Sequence, residues 1–186
     1  MISYSTRISY FTKETHFFLD SEAVRIEQKD TAAKIILYKN ITSIRISYMP
    51  DRMRNNNYRC NFTAGKEEYI FQSSIFVSLA NFRDDPAGYK KFLTAFIQKV
   101  YATNPSVQLL SGRPKAAYRS SVFLMLLSMT ALAVALYFLG EYFSPVSWLK
   151  FVLVLLLIPM ALSYIQKNKP GTFTAYDIPV NLLPKD

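Results

Sequence analysis

Residues 120–139 and 146–165 form two runs of apolar side chains, twenty residues each, separated only by the segment from Gly140 to Pro145. Twenty residues at a rise of about 1.5 Å match the ~30 Å hydrocarbon layer of a bilayer. The first run carries no charge, and its Ser128 and Thr130 can each bond to a carbonyl one turn back. The second carries one charge, Lys150, two residues after Trp148 and near its start, where a long side chain can reach the headgroups. Pro159 would kink that helix, and a bundle tolerates such a kink. Helices in the core of a soluble protein keep a polar edge and run shorter. The pattern therefore predicts a helical hairpin that enters a membrane and returns.

Upstream the period changes. Val24 and Ile26 alternate with Arg25 and Glu27, then Ile44, Ile46 and Tyr48 with Arg45 and Ser47, then Tyr58, Cys60 and Phe62 with Arg59 and Asn61. Alternation of this kind places one face of a strand on a core. Further strands are expected around residues 17–19, 34–38 and 69–71, with a hairpin turn at residues 64–66 and a polar loop over residues 50–57. Six or seven strands result. From residue 84 the period becomes helical. Asp84 or Asp85 can cap the helix, Pro86 suits its first turn, and Phe92, Phe96 and Val100 with Leu93, Ile97 and Tyr101 make one apolar stripe. Asn104 and Pro105 end it.

These elements divide the chain into a head at residues 1–104, a basic Pro/Gly linker at 105–118, a two-helix transmembrane hairpin at 119–166 and a polar tail at 167–186. The fold class is α+β, with a bent antiparallel sheet or barrel capped by one helix. A head of about 100 residues can bury its own core. The start of the sequence has no apolar stretch of the signal-peptide kind.

The 186 residues carry a formal net charge of +9. Much of that charge flanks the hairpin. Arg113, Lys115 and Arg119 precede the first span, Lys167 and Lys169 follow the second, and the intervening turn holds Glu141. The positive-inside rule then places both termini in the cytoplasm. Tyr137, Phe138, Tyr142, Phe143 and Trp148 would form the outer aromatic belt, and Trp148 and Lys150 join the five flanking cations as interface anchors. The remaining cations are dispersed among acids, so nucleic acid is not an expected partner.

Candidate chemistry is sparse. Cys60 is the single cysteine and His16 the single histidine, too few for a zinc site. Cys60 falls in an alternating core set, and as a nucleophile it would need His16 beside it. The five glycines are too scattered for a phosphate-binding loop. No catalytic residue, metal or cofactor is predicted. Arg45, Arg52, Arg54 and Arg59 lie on or beside one strand pair and its loop, a cluster suited to anionic lipid headgroups or an acidic partner. Ala131 and Ala135 stand one turn apart in the first span. Small residues let helices approach closely, either inside the hairpin or in self-association and docking to another membrane protein.

Several strings carry a resemblance: Ile41 to Ile46 (ITSIRI), Asn57 to Cys60 (NYRC), Gly88 to Leu93 (GYKKFL) and Tyr176 to Pro184 (YDIPVNLLP). The head resembles bacterial pleckstrin-homology-like domains. The order of parts over nearly the whole chain resembles a group of proteobacterial two-span membrane proteins with such a head. The resemblance implies a bent antiparallel sheet closed by a C-terminal helix and an inner-membrane location, and it supplies no catalytic residue. The expected function is non-enzymatic: a cytoplasmic head that binds lipid headgroups, a peptide or a protein at the membrane surface. The alternative is an accessory or assembly subunit that docks into a larger membrane complex through its hairpin.

Overall fold

The computed structural model describes residues 2–49, 57–78, 81–140 and 147–184. Its class is α+β, as expected, and it divides into two compact units, residues 1–112 with 171–186 and residues 113–170.

The first unit contains two main sheets. Strands β1 (Ile2–Thr6), β2 (Thr15–Leu19), β3 (Ala23–Gln28) and β4 (Thr31–Leu37) form an antiparallel meander. A short 3₁₀ turn, Tyr38–Asn40, leads to β5 (Ile41–Tyr48), β6 (Tyr58–Ala64) and β7 (Glu67–Gln72), also antiparallel neighbours in sequence order. The turn from β6 to β7 requires Gly65, whose φ of +64° is cheap only without a Cβ. A small hairpin, β8 (Ser74–Ser78) and β9 (Asn81–Asp84), precedes helix α1 (Pro86–Thr103).

Alternation explains the core. Ile44 and Ile46 on β5 and Cys60 and Phe62 on β6 are fully buried, whereas Arg45, Arg59 and Asn61 point to the other face. Asp85 caps α1, its carboxylate accepting from the Gly88 N–H at 2.9 Å, and Asn104 closes the helix. The apolar stripe of α1, from Tyr89 to Val100, is buried against the sheets. Aromatic rings fill the space between the layers: Phe71 meets Phe92 edge-on at 5.2 Å, and Phe62 lies 5.0 Å from Phe96. Such pairs each add about 0.5–1.5 kcal/mol beyond their buried area.

The expected linker and tail take a different form. Within residues 105–118 lies β10 (Gln108–Ser111), which pairs parallel to β5, Leu109 opposite Ile44. Within the tail, β11 (Gly171–Thr172) pairs antiparallel to β10, and the sheet order becomes β11-β10-β5-β6-β7. The physical reason is burial. Val107 and Leu109 face the core at i and i+2, and Ala175 and Leu182 of the tail are also buried there. Tyr176 of the tail meets Tyr101 of α1 edge-on. The head is thus residues 1–112 with 171–186, in place of 1–104 alone.

The second unit holds α2 (Lys115–Gly140) and α3 (Ser147–Asn168), with Pro159 inside α3. The expected turn residues Glu141, Tyr142 and Phe143 lie outside the described residues.

Candidate functional site

In the second unit, the stretch Lys115–Leu136 of α2 is 22 residues long and apolar enough to cross a membrane. Among its half-buried positions, Tyr118, Val122, Met125, Met129, Leu132 and Leu136 recur at alternating steps of four and three, and Ala117 and Ser121 flank the first two of them. That spacing is the seam of a helix packed on a neighbour, and α2 packs on α3. Phe123, Leu124, Leu126 and Leu127 lie off the seam and are more than half exposed. Ala131 and Ala135 also lie off it and are exposed, so they do not make the packing inside this unit.

The cations expected as interface anchors take different positions. Arg113 is half-buried and joins both helices, one guanidinium nitrogen donating to Ser121 Oγ and to the Tyr164 hydroxyl, each at 2.7 Å. Its backbone N–H donates to the Asn168 carbonyl at 3.1 Å. Lys115, Arg119 and Lys169 are exposed, and Lys167 stands in the last turn of α3. Trp148 and Lys150 fall on the first turn of α3.

Of the four arginines proposed as a cluster, β5 and β6 bring Arg45 and Arg59 to one face, because Arg45 opposes Asn61 and Ser47 opposes Arg59. Arg52 and Arg54 lie outside the described residues. Arg45 already has a structural task. Its guanidinium donates to the Gly112 carbonyl at 3.4 Å, and partial burial lowers its pKa against the opposing influence of Glu68.

The Cys60–His16 pairing is not formed. Cys60 is fully buried, and desolvation pushes its thiol well up, which leaves it inert as a nucleophile. His16 is exposed on β2. Among the described residues, no group of three or more His, Cys, Asp or Glu side chains is placed to hold a metal ion.

One feature went unread in the sequence. β4 is the last strand of its sheet and β7 the last of the other, and between them lies a groove of about 490 Å³. Buried Thr6, Phe17 and Ile26 form its floor, and Thr31, Lys34 and Tyr69 stand in its walls. Lys34 donates to the Glu67 carboxylate, as does the Tyr69 hydroxyl, and Lys34 Nζ lies 5.3 Å from the Tyr69 ring centre. The shared hydrogen bond raises the Lys34 pKa and lowers that of Glu67. The groove needs residues of β1, β2, β3, β4 and β7 at once, so no local spacing announces it.

Comparison with known protein families, with curated proteins and with solved structures finds no match to this chain.

Proposed function

We propose that this chain is a non-enzymatic integral protein of a bacterial inner membrane, with α2 and α3 as its two spans and both termini in the cytoplasm. Its head, of pleckstrin-homology-like fold, would bind lipid headgroups or a protein or peptide partner at the bilayer surface. The observation that carries this reading is the 22-residue stretch of α2, of which no residue is buried in the structure. Lipid is the solvent in which such a surface is stable. The cations at residues 113, 115, 119, 167 and 169 support the orientation. For the head, the shared face of Arg45 and Arg59 supports recognition of anionic groups.

Fractionation of the source membranes tests the reading. The chain should stay in the membrane pellet through alkaline carbonate washing, and a reporter fused after Asp186 should be active only in the cytoplasm. Release by carbonate, or a periplasmic reporter, overturns it.

The second reading, an accessory subunit docked through its helices, is favoured by one observation: Ala131 and Ala135 are exposed on the side of α2 away from the seam. Cysteines placed at those two positions should crosslink to a defined membrane partner or to a second copy. Absence of any crosslink in native membranes removes this reading.

A further inference from the structure

We propose that the loop between β1 and β2 is a second point of membrane attachment, the rings of Tyr10 and Phe11 entering the interfacial layer of the bilayer. This rests on the reading that α2 and α3 span a membrane, and it names the part of the head that meets lipid.

Exposure comes first. Among the described residues Phe11, at 93%, is the most exposed large apolar side chain, and Tyr10 beside it is 63% exposed. The two rings meet edge-on at 5.6 Å. Behind them Tyr10 packs edge-on on Phe76 at 6.5 Å, and Phe76 on Phe82 at 5.4 Å. The outward pair is thus the tip of an aromatic column rooted in the β8–β9 hairpin.

The loop holds that exposure in place. Thr12 Oγ1 accepts from the N–H of Ile8 at 3.2 Å and of Ser9 at 2.8 Å. The Arg7 guanidinium donates to the carbonyls of Thr12 and Tyr10, each at 3.1 Å, and lies over the Phe76 ring. Folding the rings back onto the head would break this set of bonds. Their presentation is built into the fold, and an ordered tip gives up little further entropy on binding.

Shape and area select the occupant. The two exposed faces offer on the order of 300 Å², well short of the ~800 Å² per partner of a stable protein interface. A second copy meeting tip to tip would therefore gain too little to hold. A projecting pair of rings also needs a matching pocket on a folded partner, whereas the soft interfacial layer of a bilayer takes it without one. Aromatic side chains favour that layer. Connectivity brings the layer within reach, because Gly112 and Gly171 each stand three residues from α2 or α3. Two such short tethers keep the head at a high effective concentration beside the bilayer.

Charge has little part in it. Lys13 and Glu14 are exposed together on the loop, and Arg83 and Asp84 are exposed together on β9. Each cation is matched by an acid next to it. Attachment through this loop should therefore depend on the rings and not on anionic lipid, in contrast to recognition through Arg45 and Arg59.

The test uses the full-length chain in nanodiscs. Cys60 is fully buried, so an environment-sensitive fluorophore can be placed on Glu14→Cys, which leaves both rings in place, or on the exposed Ile35→Cys as reference. Lipid carrying a spin label near the headgroup should quench position 14 strongly and position 35 weakly, equally in neutral and anionic discs. Adding Tyr10→Ser and Phe11→Ser should bring position 14 down to the reference, with an unchanged melting temperature because both side chains are exposed. Weak quenching at position 14, or quenching that survives loss of the rings, overturns the proposal. So does quenching seen only with anionic lipid and lost in high salt, which would assign the contact to the cations. A chain that fails to enter the discs defeats the spanning reading itself. One that enters them with a water-exposed loop defeats this proposal alone.

Discussion

Tyr4 of β1 donates its hydroxyl to the backbone carbonyl of Gln72 at the end of β7, 2.8 Å away and 68 residues along the chain. The bond is buried and ties the first sheet to the second. The Tyr4 ring also packs edge-on against Phe71 and Tyr89. Tyr4→Phe keeps the rings and removes only the donor, leaving a buried carbonyl short of a partner. The expected loss is about 1–2 kcal/mol, visible as a lower melting temperature for the head with native-like circular dichroism. An unchanged melting temperature would show that the two sheets are held by ring packing alone.

Burial of tyrosines sets a limit at high pH. Desolvation raises the pKa of Tyr4, Tyr58 and Tyr89, and pushes Tyr38 up to about 12. In the unfolded chain these groups titrate near 10. Their neutral forms are therefore favoured by folding. The contribution is complete below pH 10 and is lost as pH rises through the folded values, because the native state then holds more protons than the unfolded one. Denaturant midpoints should be flat in this respect below pH 10 and fall above it. Absorbance titration at the tyrosinate band should show a late group that ionises only with unfolding. Ionisation of every tyrosine near pH 10 in the folded protein would contradict the burial.

How much of this was legible differs from element to element. Helix α1 was fully announced, because its cap, its proline and its stripe are all local. β5 and β6 were announced by alternation, since Ile44, Ile46, Cys60 and Phe62 each point the same way as the residue two places on. β1 was not singled out, because its inward residues are Tyr4 and Thr6, and a buried threonine breaks the apolar count. β10 reads as linker because four residues flanked by Pro105 and Pro114 show almost no period, and only Val107 and Leu109 hint at a strand. The tail reads as a polar, proline-bearing segment for the same reason. Its place in the head comes from pairing Ser111 with Gly171 across the intervening helices, information that no window of sequence holds. Of the arginine cluster, the shared face of Arg45 and Arg59 followed from strand register, while the use of Arg45 on Gly112 needed coordinates.

Gly88 and Asp85 should show strong coupling. Glycine inside a helix costs up to about 1 kcal/mol relative to alanine, so Gly88→Ala would ordinarily stabilise α1. Here a Cβ on Gly88 would sit 2.1 Å from a carboxylate oxygen of the capping Asp85. The carboxylate must swing away, and loss of a cap costs about 1 kcal/mol. Gly88→Ala alone should therefore be near neutral or destabilising. In the background of Asp85→Ala, where no carboxylate stands in the way, the same substitution should stabilise by up to about 1 kcal/mol. A double-mutant cycle on thermal or denaturant unfolding reads the difference. Additivity of the two substitutions would mean that the cap tolerates the methyl group.

The surface of α2 gives the sharpest test of its solvent. Leu127 is 54% exposed, close to the middle of the apolar stretch and off the seam toward α3. If water bathed this helix, Leu127→Arg would replace an exposed apolar group with a charged one, a change usually within about ±0.5 kcal/mol, and solubility would improve. If lipid surrounds it, an arginine at this depth costs about 2.5–3.5 kcal/mol of insertion free energy. The two solvents therefore predict opposite outcomes from one substitution. The expected result is a marked loss of membrane-integrated protein after carbonate washing, with Leu127→Ile behaving as the parent chain. Arg119, near the helix start, provides the internal reference: Arg119→Leu should leave insertion intact but weaken the orientation bias set by the flanking cations. An Leu127→Arg chain that remains fully integrated would place that side chain against protein or water, and the argument from exposed apolar surface would fall with it.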